Sequence, residues 1–107
     1  MNQEIKEKWV EALRSGKYKQ GRSRLKDNEN HYCCLGVLCD IRAKEFNTVF
    51  NSDESKDFPG SIVMDWAGLK HKNPNVMFDG SKTDIATLND DKHLSFKEIA
   101  NIIEAQL

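Results

Sequence analysis

Apolar residues recur at helical spacing near the start of the chain. One face of this first segment carries four of them: Ile5, Trp9, Ala12 and Leu13. Charged side chains occupy the opposite face, a pattern typical of a surface helix that packs against a core. Asn2 is a suitable N-cap, and Gly16 suits the position just beyond a helix end. The pattern therefore predicts a helix over about residues 3–14.

A second clear helix lies at the end of the sequence. Ser95 and Glu98 have the spacing of a capping box, in which each side chain binds the backbone N–H of the other residue. The apolar residues that follow share one face: Phe96, Ile99, Ala100, Ile103 and Leu107. We expect this face to be buried.

Residues 33–46 contain all three cysteines and the densest apolar run. Their pattern predicts a central helix, although Gly36 inside a helix costs about 1 kcal/mol relative to alanine. A glycine at such a position usually means that another element packs close to it. The polar residues of this segment mark the side expected to face solvent: Asp40, Arg42, Lys44 and Glu45.

The connections between these helices are less regular. Leu25 and Tyr32 flank a turn-forming run at 27–30, which predicts a short hairpin within residues 17–32. A polar loop is expected over residues 47–58.

The second half of the chain contains three further short elements. Pro59 suits the first turn of a helix that Gly68 would end. Its expected apolar face comprises Ile62, Val63, Trp66 and Ala67. Residues 76–78 are a possible strand, and residues 85–88 suggest one more helical turn.

Length and composition are those of one folded unit. The 107 residues suffice for one core, and a hydrophobic fraction of 38% exceeds that of disordered chains. The elements above predict an α+β fold: a mainly helical, compact single domain over residues 1–107, with a short β-hairpin or small sheet.

The net charge of −1 gives no bulk attraction to nucleic acid or to a membrane surface. We expect no membrane association and disfavour nucleic acid as a partner.

The cysteines allow three interpretations. Cys33 and Cys34 lie near a predicted helix N-terminus, where a helix dipole stabilises a thiolate, so either is a candidate nucleophile with His71 or His93 as base. Free cysteine is, however, often simply buried. The third interpretation is a zinc site, but the spacing of the four candidate ligands does not suit one: His31, Cys33, Cys34 and Cys39. No phosphate-binding loop or dinucleotide motif is present either, so we expect neither metal nor cofactor.

The number of cysteines also bears on the compartment. An odd number of cysteines and no apolar leader indicate reduced thiols in the cytoplasm.

The basic segment, residues 17–26, is the strongest binding candidate. Together with Arg14 it supplies six cations and no acid: Arg14, Lys17, Lys19, Arg22, Arg24 and Lys26. Arginine side chains and the backbone N–H of a glycine, here Gly21, suit an anion such as phosphate, and Tyr18 is a possible stacking surface. The alternative is a solvated, charged connector.

The run from Leu88 to Asp91 is the remaining segment of interest. Asn and Asp favour turns because their side chains bond nearby backbone, and a structural turn is the first interpretation. If these acids fold back onto the basic segment, they would orient Arg22 or Arg24. The candidate ligand-binding residues are therefore Gln20, Arg22, Arg24, Tyr32, Asn89 and Asp90.

Several blocks of the chain match a known pattern: residues 9–16, 20–22, 32–40, 65–69, 88–90 and 95–100. Together they resemble a group of small uncharacterised proteins encoded by bacteriophages. The resemblance implies a viral accessory protein made in a bacterial cytoplasm, where such proteins commonly bind a host component or sequester a metabolite. The similar proteins carry a glycine soon after the Asn-Asp pair, whereas this chain has no glycine between Asp90 and Ser95.

Three functional hypotheses follow. The first is a non-enzymatic binding protein that engages a host protein or an anionic small molecule through the basic segment. The second is a cysteine-dependent hydrolase or transferase that uses Cys33 or Cys34. The third is a structural interaction module whose cysteines belong to the core.

Overall fold

The structure is a computed structural model that describes residues 1–48 and 58–107, so most of the predicted polar loop at 47–58 lies outside the described residues. The elements in chain order are α1 (Gln3–Arg14), β1 (Lys19–Gln20), β2 (His31–Tyr32), α2 (Cys34–Glu45), α3 (Ser61–Ala67), β3 (Asn75–Phe78), β4 (Ser81–Asp84), α4 (Ile85–Asp90) and α5 (Phe96–Gln106). The prediction of a mainly helical α+β fold with small sheets is confirmed.

The two terminal helices begin and end where their caps predict. The Asn2 side chain accepts a hydrogen bond from the Ile5 N–H at 3.0 Å, and Gly16 takes a left-handed φ of +75° beyond α1. Both bonds of the Ser95–Glu98 capping box are present at the start of α5. The apolar faces of α1 and α5 pack against each other and contribute Trp9, Leu13, Ile99 and Ile103 to the core.

Helix α2 is the centre of the molecule and contacts α1, α3 and α4. The indole N–H of Trp9 donates to the carbonyl of Cys34 at 2.9 Å inside this core. One prediction for α2 is wrong, because Asp40 is buried, with 7% exposure, rather than solvated. The Tyr18 hydroxyl donates to the Asp40 carboxylate at 2.5 Å, and the Lys44 ammonium lies 3.1 Å from it.

Gly36 has the close neighbour that its position predicted. A Cβ added to Gly36 would lie 1.7 Å from the backbone oxygen of Leu25. The chain of the basic segment therefore rests directly on the first turn of α2, and the Leu25 side chain is buried beside it.

The hairpin predicted within residues 17–32 is only partly correct. A single antiparallel bridge joins Lys26 to Tyr32 around the predicted turn. The two-residue strands β1 and β2, by contrast, pair in parallel. Gly21 permits this close approach, since its N–H donates to the Tyr32 carbonyl at 2.7 Å and an added Cβ would lie 2.8 Å from the Cβ of His31.

The second half follows the predicted order with two differences. Helix α3 ends at Gly68 (φ +70°) as expected, but Ile62 is 64% exposed and Ala67 is the residue of α3 that is fully buried. Strand β3 includes the predicted strand at 76–78, and it pairs antiparallel with β4, which the sequence pattern did not predict.

Helix α4 extends the predicted turn at 85–88 through Asn89 and Asp90, which are therefore helical rather than part of a loop. The chain then turns at His93, whose φ is +55°. This left-handed conformation is one that glycine adopts without strain. Within the described residues, no helix is long and apolar enough to cross a membrane.

Replacing Gly36 with alanine should strongly destabilise the fold. The new methyl group would overlap the Leu25 backbone, which cannot move without shifting the basic segment, so we expect a loss of about 3 kcal/mol or more in the free energy of unfolding. Urea denaturation would measure this loss. Gly60→Ala is the control, because an added Cβ there meets no atom within 4 Å. Equal stabilities of the two variants would contradict the close packing.

Candidate functional site

Residues 20–21 and residues 89–90, which are far apart in the sequence, lie together around the Asn89 side chain. The side-chain amide of Gln20 donates to the Asn89 side-chain oxygen at 2.9 Å and to the Leu94 carbonyl at 2.8 Å. The Asn89 amide in turn donates to the Gly21 carbonyl and to the Asp90 carboxylate, both at 2.8 Å. We call this group, together with the Ser23 N–H that Asp90 accepts at 2.9 Å, the Asn89 cluster.

The Asn89 cluster is an anchor for the basic segment. Asn89 is fully buried, and its oxygen and both amide hydrogens are used by bonds within the chain. Buried polar groups must be paired in this way to avoid a desolvation cost. Gln20, Asn89 and Asp90 were predicted as ligand-binding residues, and the structure brings them together. Their observed bonds fix the backbone of residues 20–23.

The acids do fold back onto the basic segment, but they do not orient the arginines. Asp90 accepts the backbone N–H of Ser23, a residue whose φ is +67°. In the described part of the chain, neither Arg22 nor Arg24 has a side-chain hydrogen bond or ion pair with a carboxylate. Both side chains are exposed. The N–H of Gly21 is also occupied by Tyr32, so any anion must be recognised by side chains rather than by this amide.

A groove of about 710 Å³ lies beside the anchored segment, between α1, β1, β2 and α2. Its lining includes four lysines and two tyrosines: Lys8, Lys17, Lys19, Lys44, Tyr18 and Tyr32. Two of the lysines have partners, since Lys8 lies 3.6 Å from Glu45 and Lys44 lies 3.1 Å from Asp40. Lys17 and Lys19 have no ion pair within residues 1–48 and 58–107, but Glu11 and Glu29 also line the groove, so its charge is mixed.

The tyrosines form a fixed wall of this groove. The Tyr18 and Tyr32 rings meet edge to face with centroids 5.1 Å apart, and the Lys44 ammonium lies 5.3 Å from the Tyr18 centroid. Burial, and then the hydrogen bond to Asp40, raise the pKa of Tyr18 far above its usual value, so its hydroxyl remains protonated. Tyr32, a predicted site residue, also contacts Lys26, whose ammonium is 5.6 Å from its ring centroid.

The sequence analysis did not predict the Tyr18–Asp40 pair. The two residues are far apart in sequence, and each has the sequence context of a surface residue.

All three cysteines are buried, and burial raises the pKa of each thiol. Cys33 is the N-cap of α2 but is 5% exposed, and burial raises its pKa to about 11, which outweighs the stabilising backbone N–H groups of the first turn. Burial likewise raises the pKa of Cys39 to about 12 and that of the fully buried Cys34 well above its usual value. The candidate bases His71 and His93 are exposed. No group of three metal-ligating side chains occurs among the described residues.

Asn89→Ala should loosen the basic segment. The substitution leaves the Gly21 carbonyl without its Asn89 donor and removes one of the two bonds of the Gln20 amide, and we expect a loss of about 2–4 kcal/mol in the free energy of unfolding. Hydrogen exchange should also become faster at the amides of Gly21 and Ser23. Asn101→Ala is the control, because Asn101 is exposed and only accepts a bond from Arg14. Unchanged exchange in Asn89→Ala would contradict the anchoring role.

Cys33 should react slowly with iodoacetamide at pH 7. With a pKa of about 11, its thiolate fraction is on the order of 10⁻⁴, at least about 100-fold below that of an ordinary thiol. The rate should rise about tenfold per pH unit until the pKa is approached, provided the fold persists. Mass spectrometry of alkylated peptides would measure it, with urea-unfolded protein as the control. A rate at pH 7 equal to that of the unfolded chain would favour the thiol-chemistry hypothesis.

Comparisons with known proteins place the chain in a family. A search of curated proteins and a search of solved structures find no match to it. The model of one family matches residues 1–107, which is the whole sequence. The chain therefore belongs to the family described as a domain of unknown function (DUF8296).

Proposed function

We propose that the chain is a non-enzymatic binding protein whose basic segment engages an acidic surface of another protein. The observation that carries the proposal is an asymmetry within this segment. Its backbone is anchored by the Asn89 cluster and by β2, whereas the side chains of Lys17, Lys19, Arg22 and Arg24 are exposed and have no partner among the described residues.

Such an arrangement favours binding for a physical reason. Ordering a flexible loop on association costs free energy, and a backbone that is already held avoids this cost. Arginine in particular offers a planar fork of donors that fits carboxylates in pairs. The Asn89 cluster also stabilises the fold, so the binding proposal depends on the exposed cations that this held backbone presents.

A second candidate is an anionic small molecule bound in the groove. Its volume of about 710 Å³ suits a ligand of metabolite size, and Lys17 and Lys19 provide charge at its wall. The partnered Lys8 and Lys44 add less, because Glu45 and Asp40 already offset them. The protein surface is therefore the preferred partner.

The biological setting remains part of the proposal. The resemblance to small phage-encoded proteins supports a viral accessory protein that acts in the bacterial cytoplasm on a host protein. The burial of the cysteines and their raised pKa values favour this binding role over the cysteine-dependent hydrolase or transferase. The third hypothesis, a structural interaction module, predicts no dependence on the exposed cations.

Charge reversal at Arg22→Glu with Arg24→Glu should abolish partner binding without loss of the fold. Both side chains are exposed and outside the core, so thermal unfolding should change little, while two attractive contacts become repulsive. We expect binding to weaken by at least about tenfold and to depend on salt. Affinity capture from bacterial lysate, followed by titration with the purified captured protein, would measure the effect.

The matched control is Lys70→Glu with Lys97→Glu, which makes the same charge change at exposed sites outside the basic segment. Binding that survives in the Arg22/Arg24 variant, or that is lost equally in the control, would overturn the proposal. Native mass spectrometry of the wild-type protein tests the second candidate. If an anion co-purifies with the protein, and the variant Lys17→Glu with Lys19→Glu no longer holds it, the groove is the binding site.

A further inference from the structure

The outer edge of β3 pairs with no other strand in the described part of the chain. The hairpin turn at Asp79 and Gly80 has φ values of +53° and +77°, and Phe78 pairs with Ser81 beside it. In an antiparallel ladder the residues alternate between those that bond the partner strand and those that point away. The N–H and C=O groups of Asn75 and Met77 therefore point away from β4, at the free edge of the hairpin.

A side chain already occupies part of this edge as a strand would. The amide of Gln106 accepts the Met77 N–H at 2.7 Å and donates to the Met77 carbonyl at 2.8 Å. Both backbone polar groups of Met77 are thus bonded to a primary amide, which has the same kinds of donor and acceptor as the backbone. Gln106 is exposed and is the last residue of α5, so moving it aside disturbs no core contact.

The two edges of the hairpin differ in their protection. Strand β4 carries Lys82 and Asp84, and charges of this kind keep other strands from pairing with an edge. Strand β3 has the uncharged sequence Asn-Val-Met-Phe, and its Met77 side chain is 52% exposed. The bonds from Gln106 are the only protection of the β3 edge that the described residues provide.

We propose that the β3 edge is a pairing surface for a second copy of this chain and that Gln106 keeps it closed. The edge is complementary to itself across a two-fold axis at Val76. Antiparallel pairing there sets Asn75 opposite Met77 of the other copy, and the reverse, which gives four backbone hydrogen bonds across the pair. These replace the two bonds that Gln106 makes in each copy, four in all, so the wild-type chain gains no hydrogen bonds on pairing, whereas a chain without Gln106 gains all four. The product is a four-stranded sheet without like charges facing each other across the new pair.

This inference is independent of the proposed function, because neither Gln106 nor β3 belongs to the basic segment. The variant Gln106→Ala should associate with a dissociation constant at least about tenfold lower than that of the wild-type chain. Sedimentation velocity over a range of protein concentrations would measure it. In the dimer, the amides of Asn75 and Met77 should be protected from hydrogen exchange.

Two further variants make the outcome specific. Gln106→Ala combined with Met77→Pro removes an outward N–H and should return the protein to wild-type association, since proline is tolerated at a strand edge. Asn101→Ala, on the same helix, should behave as wild type. An unchanged dissociation constant in Gln106→Ala would overturn the inference. So would a Gln106→Ala dimer that persists in the folded double variant, because that dimer would use another surface.

Discussion

The close contact between Gly36 and the Leu25 carbonyl is the constraint on which the rest of the site depends. A helix with side chains all round would hold the connecting chain several ångströms away, whereas a missing Cβ lets the backbone rest on α2. This contact sets the distance at which residues 17–26 pass over α2. Gln20 and Gly21 then lie beside Asn89, which is far away in sequence, and their hydrogen bonds can form. Local packing on one helix thus determines the position of a distant polar cluster.

The charged residues near this contact divide into two groups with different roles. Asp40 and Asp90 are committed to partners that hold the structure, namely the Tyr18 hydroxyl and the Ser23 N–H. Four cations of the basic segment have no hydrogen bond or ion pair of the side chain among the described residues: Lys17, Lys19, Arg22 and Arg24. Surface ion pairs contribute little to stability, so leaving these cations unpaired costs the fold little. A chain whose total charge is only −1 can therefore still present a locally positive surface.

The sequence predicted the elements whose signals are local. Helices α1 and α5 have both periodic apolar faces and caps, and two independent signals agree at each start. The parallel pairing of β1 with β2 was not predictable, because strands of two residues have no alternation to detect. Asp40 was placed in solvent because one of its two partners, Tyr18, is brought near only by folding, and its pairing with Lys44 at i+4 is equally typical of an exposed helix face. For the candidate site, the convergence of Gln20 with Asn89 was anticipated as a possibility, but its role as an anchor required the hydrogen bonds.

Burial distinguishes the three thiols from the exposed cations of the basic segment. Helix N-termini favour a thiolate, and that principle made Cys33 a candidate nucleophile. At this N-terminus, however, burial opposes the dipole and dominates, so the pKa of Cys33 is raised, and all three cysteines are buried in or beside α2. A helix that is packed on all sides has no N-terminus exposed to solvent. The position at which the helix dipole would favour a thiolate is then occupied by a buried side chain. Helix α2 therefore contributes mainly to the core, whereas the exposed cations lie on the neighbouring connector, whose backbone is held by the hydrogen bonds of the Asn89 cluster.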